Sequence, residues 1–241
     1  MVALQLLGQT ALIVASFALG AKLIALWRRT RELPELSVGL SFVLFGGFGY
    51  ASWLILAGMV IRGGDRDTAH AIATFGLVSS CTGAIAMGIG NAAIFRPGRR
   101  WPAFLVGALA IGMATSCVVY ARAAAGAGSF SFWVSILQCG VVCAWGGAES
   151  LIVWRVLRKR ARLGLADPVV VHRAGQWGVA SLAIVLLIAL TFSSRLAYGR
   201  ILPPWVNALS ACFGLVGACA IWLGFFPPRA LRERLVRAYA G

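Results

Sequence analysis

The sequence predicts an all-α integral membrane protein: a seven transmembrane helix bundle with the N-terminus outside, the C-terminus inside and a short amphipathic helix at the C-terminus. Three observations carry this. Apolar residues make up 60% of the 241, and mean hydropathy is +0.86, where a soluble domain is about half apolar. Charged residues are only 12%, gathered in short clusters. Between those clusters lie seven runs of the ~20 apolar residues needed to cross ~30 Å of hydrocarbon. No long polar segment leaves room for a second unit, so 1–241 reads as a single transmembrane domain.

The runs fall at about 4–26, 37–61, 70–95, 101–122, 130–154, 174–194 and 204–226. The first has no basic residue before it, and Lys22, Arg28 and Arg29 come at its far end. That is the reverse of a cleavable signal peptide, so it counts as a span. The segments between runs alternate in charge. Arg28, Arg29 and Arg31 follow the first run, and Arg96, Arg99 and Arg100 follow the third. Arg155, Arg158, Lys159, Arg160, Arg162 and Arg173 lie between the fifth and sixth, and Arg229, Arg232, Arg234 and Arg237 fill the tail. The intervening segments hold only Arg62, Arg66, Arg122, Arg195 and Arg200. Sixteen against five fixes the orientation by the positive-inside rule. Pro227-Pro228 ends the seventh run. Beyond it Leu231, Leu235 and Tyr239 recur at helical spacing among arginines, the pattern of a helix lying on the inner surface.

The net charge of +15 would raise nucleic acid as a partner for a soluble chain. Here it is explained by orientation and by anionic lipid headgroups at the inner face, so the partners expected are the lipid bilayer, those headgroups and a protein on the inner side, with no nucleic acid. Only two of the 22 basic residues are lysine, and Ala and Gly are abundant. That bias suggests a bacterial plasma membrane.

All six cysteines, Cys81, Cys117, Cys139, Cys143, Cys212 and Cys219, fall inside runs, where they read as small packing residues rather than disulfides. Cys139 and Cys143 share a helix face, but no His or Asp stands near them to complete a metal site. His70 and His172 open runs on opposite sides of the membrane and cannot ligate one group together. No metal or cofactor is expected. Glycines in the second, third, fifth and seventh runs, such as those of "GGFGY" at 46–50, let backbones approach closely.

One carboxylate stands out. Glu149 lies six residues before Arg155, about 9 Å inside the inner interface at 1.5 Å per residue. A carboxylate there is costly unless paired or hydrated. Lys22 and Asn91 stand at similar distances from their own inner helix ends, so the three can share a layer. Asn91 is the expected hydrogen-bond partner of Glu149, and Lys22 a further candidate that could instead snorkel to the surface. Ser135, Gln138, Val142, Trp145 and Glu149 share one face of the fifth run, expected to point into the bundle. The binding residues expected are therefore Glu149, Asn91, Lys22, Gln138 and Trp145. They act either as a lock between helices or as a binding or relay site.

In topology the chain resembles opsins and G-protein-coupled receptors. A retinal protein of that kind needs a Schiff-base lysine in the seventh run, and 204–226 contains none. The proline–glutamine pair of PQ-loop relatives of SWEET transporters is absent too. Catalysis is not expected, because the spans lack the clustered His and Asp of a metallohydrolase and Lys22 has no serine placed beside it. Two functions remain. One is a receptor-like or sensory bundle that binds a small lipophilic ligand and signals through a partner on the basic inner face. The other is a small transporter or channel with Glu149 as its coupling residue.

Overall fold

The computed structural model of the chain describes residues 2–122, 130–199 and 203–239. They form α1 (Val2–Thr30), α2 (Leu33–Ser41), a π-helical segment (Phe42–Gly49), α3 (Tyr50–Ile61), α4 (Arg66–Phe95), α5 (Trp101–Arg122), α6 (Phe130–Ala161), α7 (Pro168–Tyr198), α8 (Pro204–Phe225) and α9 (Arg229–Tyr239). Seven stretches are long and apolar enough to cross a membrane, and α2, the π segment and α3 run together as the second. No strand occurs among the described residues. In lipid a spanning segment must satisfy its own backbone, and a helix does so locally.

Several helices start before or end after the apolar runs, where the sequence supplies caps or complementary charge. α4 starts at Arg66 because the Asp65 carboxylate accepts from the Thr68 backbone N–H and from its hydroxyl, each at 2.8 Å. Those bonds, the backbone one foremost, hold the Asp65 carboxyl below the usual carboxylate range. α7 starts at Pro168, which needs no N–H partner in a first turn, and Asp167 accepts from Val169 N at 2.8 Å. α6 continues to Ala161 through Arg158, Lys159 and Arg160, cations that suit a helix C-terminus.

Six of the seven spans close a ring. α1 packs on α2 and α8, α2 and the π segment on α4, α4 on α6, α6 on α7, and α7 on α8. α5 packs against α4 and α6 from outside that ring, with Phe104 and Ile111 largely exposed. Half of the apolar stretch of α4 is buried in the protein, the highest share of the seven. α9 packs on α7. Its Leu231 and Leu235 are half-buried and its arginines exposed, the expected amphipathic pattern; the Tyr239 side chain lies outside the described residues.

Small residues make the close packing. Lipid tails are as apolar as leucine, so helices associate by fit and not by hydrophobic drive. A Cβ on Gly83 of α4 would stand 2.5 Å from the backbone nitrogen of Phe45. One on Gly90 would stand 2.7 Å from a Val38 methyl, and one on Gly47 2.7 Å from the Phe17 ring. The second span is therefore wedged between α1 and α4. Its π segment, FVLFGGFG, sits where these contacts are tightest. The "GGFG" run reads in the sequence as a packing surface, which it is, and gives no sign of the wider helix.

Gly83→Ala is expected to lower the thermal midpoint in detergent, at a cost of about 1–3 kcal/mol for overpacking. Gly107→Ala on α5, where an added Cβ meets nothing within 4 Å, is expected to be neutral or to stabilise by up to about 1 kcal/mol. A Gly83→Ala midpoint equal to the parent's would contradict the backbone contact.

Candidate functional site

Glu149 is 7% exposed, so its charge must be met by protein groups. It is met by Arg96, whose Nε donates to Oε1 at 2.8 Å, and by Trp145, whose Nε1 donates to the same oxygen at 3.3 Å from one turn earlier on α6. Arg96 is the residue at which α4 ends. Its side chain is 43% exposed against 9% for that of Glu149, so one end of the pair reaches the surface of the bundle while the other does not. The pair ties the end of α4 to α6.

The other expected site residues do not gather round this carboxylate. Asn91 is fully buried, and its Nδ2 donates to the Val142 carbonyl at 3.4 Å. Its amide lies against Gly146, where an added Cβ would stand 2.6 Å from Nδ2. Lys22 donates to the Phe225 carbonyl at 2.9 Å, at the end of α8, and its ammonium lies 4.2 Å from the centre of the Phe226 ring. Neither residue is hydrogen-bonded to Glu149. Matched depth along the axes leaves the bearing around each axis open, and the ring sets it: α1 faces α8, whereas α4 faces α6.

The polar face of α6 points into the bundle, as expected, with Ser135, Val142 and Glu149 buried and Gln138 and Trp145 half-buried. Trp145 packs on Trp101 of α5, with ring centroids 5.5 Å apart. A Cβ on Gly112 of α5 would stand 3.2 Å from the Gln138 carboxamide carbon. Gln138 Oε1 and Ser135 Oγ are buried without a hydrogen-bond partner among the described residues. The face thus looks toward α4 and α5, because α5 occupies the groove outside them, and only Val142 of the five also borders the central space.

That central space is an apolar cavity of about 40 Å³, bordered by every span except α5. Phe42 and Phe45 of the π segment, Met87 of α4, Trp177 of α7 and Phe225 of α8 form much of its wall. Trp177 meets Phe42 edge-on with centroids 6.1 Å apart and Phe225 at 5.8 Å. Ser16, Ser41, Tyr50 and Ser181, which carry hydroxyls, line the wall, and so does Asn91, whose amide Oδ1 is buried with no partner among the described residues. Glu149 is not on the wall. Nothing linear in the sequence marks this site, because its polar members are scattered over four spans.

Two further groups escaped the sequence reading. His70, expected at the surface, is half-buried and lies against Tyr120, with ring centroids 5.3 Å apart. His70 Nε2 donates to the Ala121 carbonyl at 3.3 Å, while His70 Nδ1 and the Tyr120 hydroxyl are buried without partners among the described residues. Cys81, Cys117 and Cys139 pack together from α4, α5 and α6. Among the described residues no group of three or more His, Cys, Asp or Glu side chains is arranged to hold a metal ion. No protein family, curated protein or solved structure matches the chain.

The ion pair is expected to be asymmetric under substitution. Glu149→Gln keeps an acceptor for both donors and should cost about 1 kcal/mol. Arg96→Leu strands a buried carboxylate on Trp145 alone and should cost more, about 2–4 kcal/mol. Combining Arg96→Leu with Glu149→Leu should recover part of that loss, read as a coupling energy in a double-mutant cycle of detergent unfolding. Additive single effects would mean that the two charges do not interact.

Proposed function

We propose that the chain is a receptor-like seven-helix protein that takes a small, mostly apolar ligand with one hydrogen-bond donor into the central cavity. The observation that carries this reading is the convergence of six spans on one apolar space lined by fully buried Asn91, whose Oδ1 has no partner among the described residues. A buried acceptor left unpaired costs about 1–3 kcal/mol, and a ligand's donor would recover it. At about 40 Å³ the cavity has room for water molecules, whereas sites for drug-sized ligands run to about 300–1,000 Å³. Admission of a ligand therefore displaces the wall. The π segment is the element suited to move, because a π turn can give up its extra residue and return to α-helical register, and such turns gather at functional sites.

The effect of binding reaches the basic end through α4. Asn91 and Arg96 lie on consecutive turns of its last stretch, and Arg96 grips Glu149 on α6. A partner protein on the basic face would read that shift. In this reading the basic end faces the cytoplasm of a bacterial plasma membrane, against acidic headgroups, and the protein binds without catalysing. The transporter alternative has less behind it, since Glu149 lies off the cavity wall and is engaged by Arg96.

Probes can be simple. In a thermal-shift measurement 1-octanol should raise the midpoint of the parent more than octane does. Asn91→Leu should erase that difference, and Ala180→Leu, which fills the cavity, should erase both shifts. Equal shifts for alcohol and alkane in the parent would remove Asn91 from the site.

Orientation is checked separately. In a variant without native cysteines, an impermeant maleimide added to intact cells should label Arg62→Cys and leave Arg160→Cys unlabelled. The opposite pattern would invert the protein in the membrane.

A further inference from the structure

At the basic end of the bundle, cations gather from three helices around the end of a fourth. α8 stops at Phe225, and its last carbonyl takes one hydrogen from the Lys22 ammonium at 2.9 Å. An ammonium carries three hydrogens, so two remain. Arg173 of α7 lies over the ring of the same Phe225, its guanidinium carbon 5.5 Å from the ring centre. Arg232 of α9 is exposed, on the helix that packs against α7. Among the described residues none of the three is in a salt bridge. The acid nearest in sequence, Glu233, is turned to Arg237 at 4.0 Å, and Asp167 caps α7.

Three like charges brought together without a counter-ion make a site for an anion that comes from outside the chain. Lys22 gives it a fixed point, held by the Phe225 carbonyl and by the Phe226 ring 4.2 Å away. The surroundings choose among anions. One turn from Lys22 on the same helix face is Leu26, 41% exposed, and Trp222, 46% exposed, is stacked on Phe226 at 4.8 Å. These apolar surfaces belong to spanning helices and face outward from the ring, where acyl chains lie. We propose that Lys22, Arg173 and Arg232 form a binding site for the phosphate of an acidic phospholipid, with an acyl chain against Leu26 and Trp222. The site rests on the reading that the basic end meets acidic headgroups, and narrows that contact from a whole surface to three residues.

The test compares two triple variants that remove the same charge. One carries Lys22→Gln, Arg173→Gln and Arg232→Gln. The other carries Arg99→Gln, Arg100→Gln and Arg160→Gln, away from the site. Each is reconstituted with mixed phosphatidylglycerol and phosphatidylcholine, extracted in mild detergent and weighed by native mass spectrometry for retained lipid. The site triple should retain at least fivefold less phosphatidylglycerol than the parent, and the control triple should retain as much as the parent. Arg232→Gln alone, on the exposed α9, should give a partial loss without altering the melting point, which separates lipid binding from any weakening of α8 by loss of Lys22. Millimolar inorganic phosphate should not displace the lipid. Equal loss in both triples would overturn the site and leave the general attraction of the basic face. Unchanged retention in both would overturn the two together, and displacement by phosphate would make the site one for a free anion.

Discussion

Where Gly83 of α4 meets the backbone of Phe45, two helices touch with almost no side chain between them, and the arrangement of the centre follows from that contact. In water, apolar side chains would drive such helices together whatever their shape. In lipid they gain nothing by leaving the tails, so only fit distinguishes one neighbour from another. The second span, small-sided toward both α1 and α4, fits in one place. Once it is wedged there, the π segment stands at the middle of the ring, and two of its three phenylalanines, Phe42 and Phe45, border the central cavity.

This explains which parts of the molecule could be read from the sequence. The seven spans were legible because apolar length is a local property that a run of residues either has or lacks. Helix ends were less so, since Asp65 and Asp167 begin helices outside the apolar runs. The depth of Glu149 followed from counting back to Arg155, but its partner did not. Arg96 reads in the sequence as a marker of the interface, and only the packing of α4 on α6 turns its side chain back toward a buried carboxylate. Ser16, Ser41, Tyr50 and Asn91 each pass as unremarkable alone. They become one site only when separate spans meet, a long-range fact that no spacing encodes.

The polar groups near the basic end show how differently one bilayer depth can be managed. Glu149 is neutralised by a cation whose side chain stays partly exposed. Lys22 is held by the carbonyl end of a neighbouring helix and by an aromatic face, a use of the negative helix terminus that needs no acid. Asn91, which lines the cavity, has one end of its amide satisfied and the other without a partner among the described residues. Burial of a charged or polar side chain among spans requires that something answer it, and the kind of answer separates fixed structure from a place still able to bind.

The packing of α1 on α8 also bears on how the protein is made. Spans enter the bilayer in the order of the chain, so the first waits through five others before the seventh arrives. Until then Lys22 has no Phe225 carbonyl and must reach the surface along its own stem. Gly8, whose added Cβ would stand 2.9 Å from the Ala211 carbonyl, faces lipid in the meantime. The cavity lacks the wall that Ile221 and Phe225 supply. Docking of the last span therefore settles the lysine, closes the ring and encloses the cavity in one step, and a chain halted after the sixth span would hold most of the helices of this protein without its enclosed cavity.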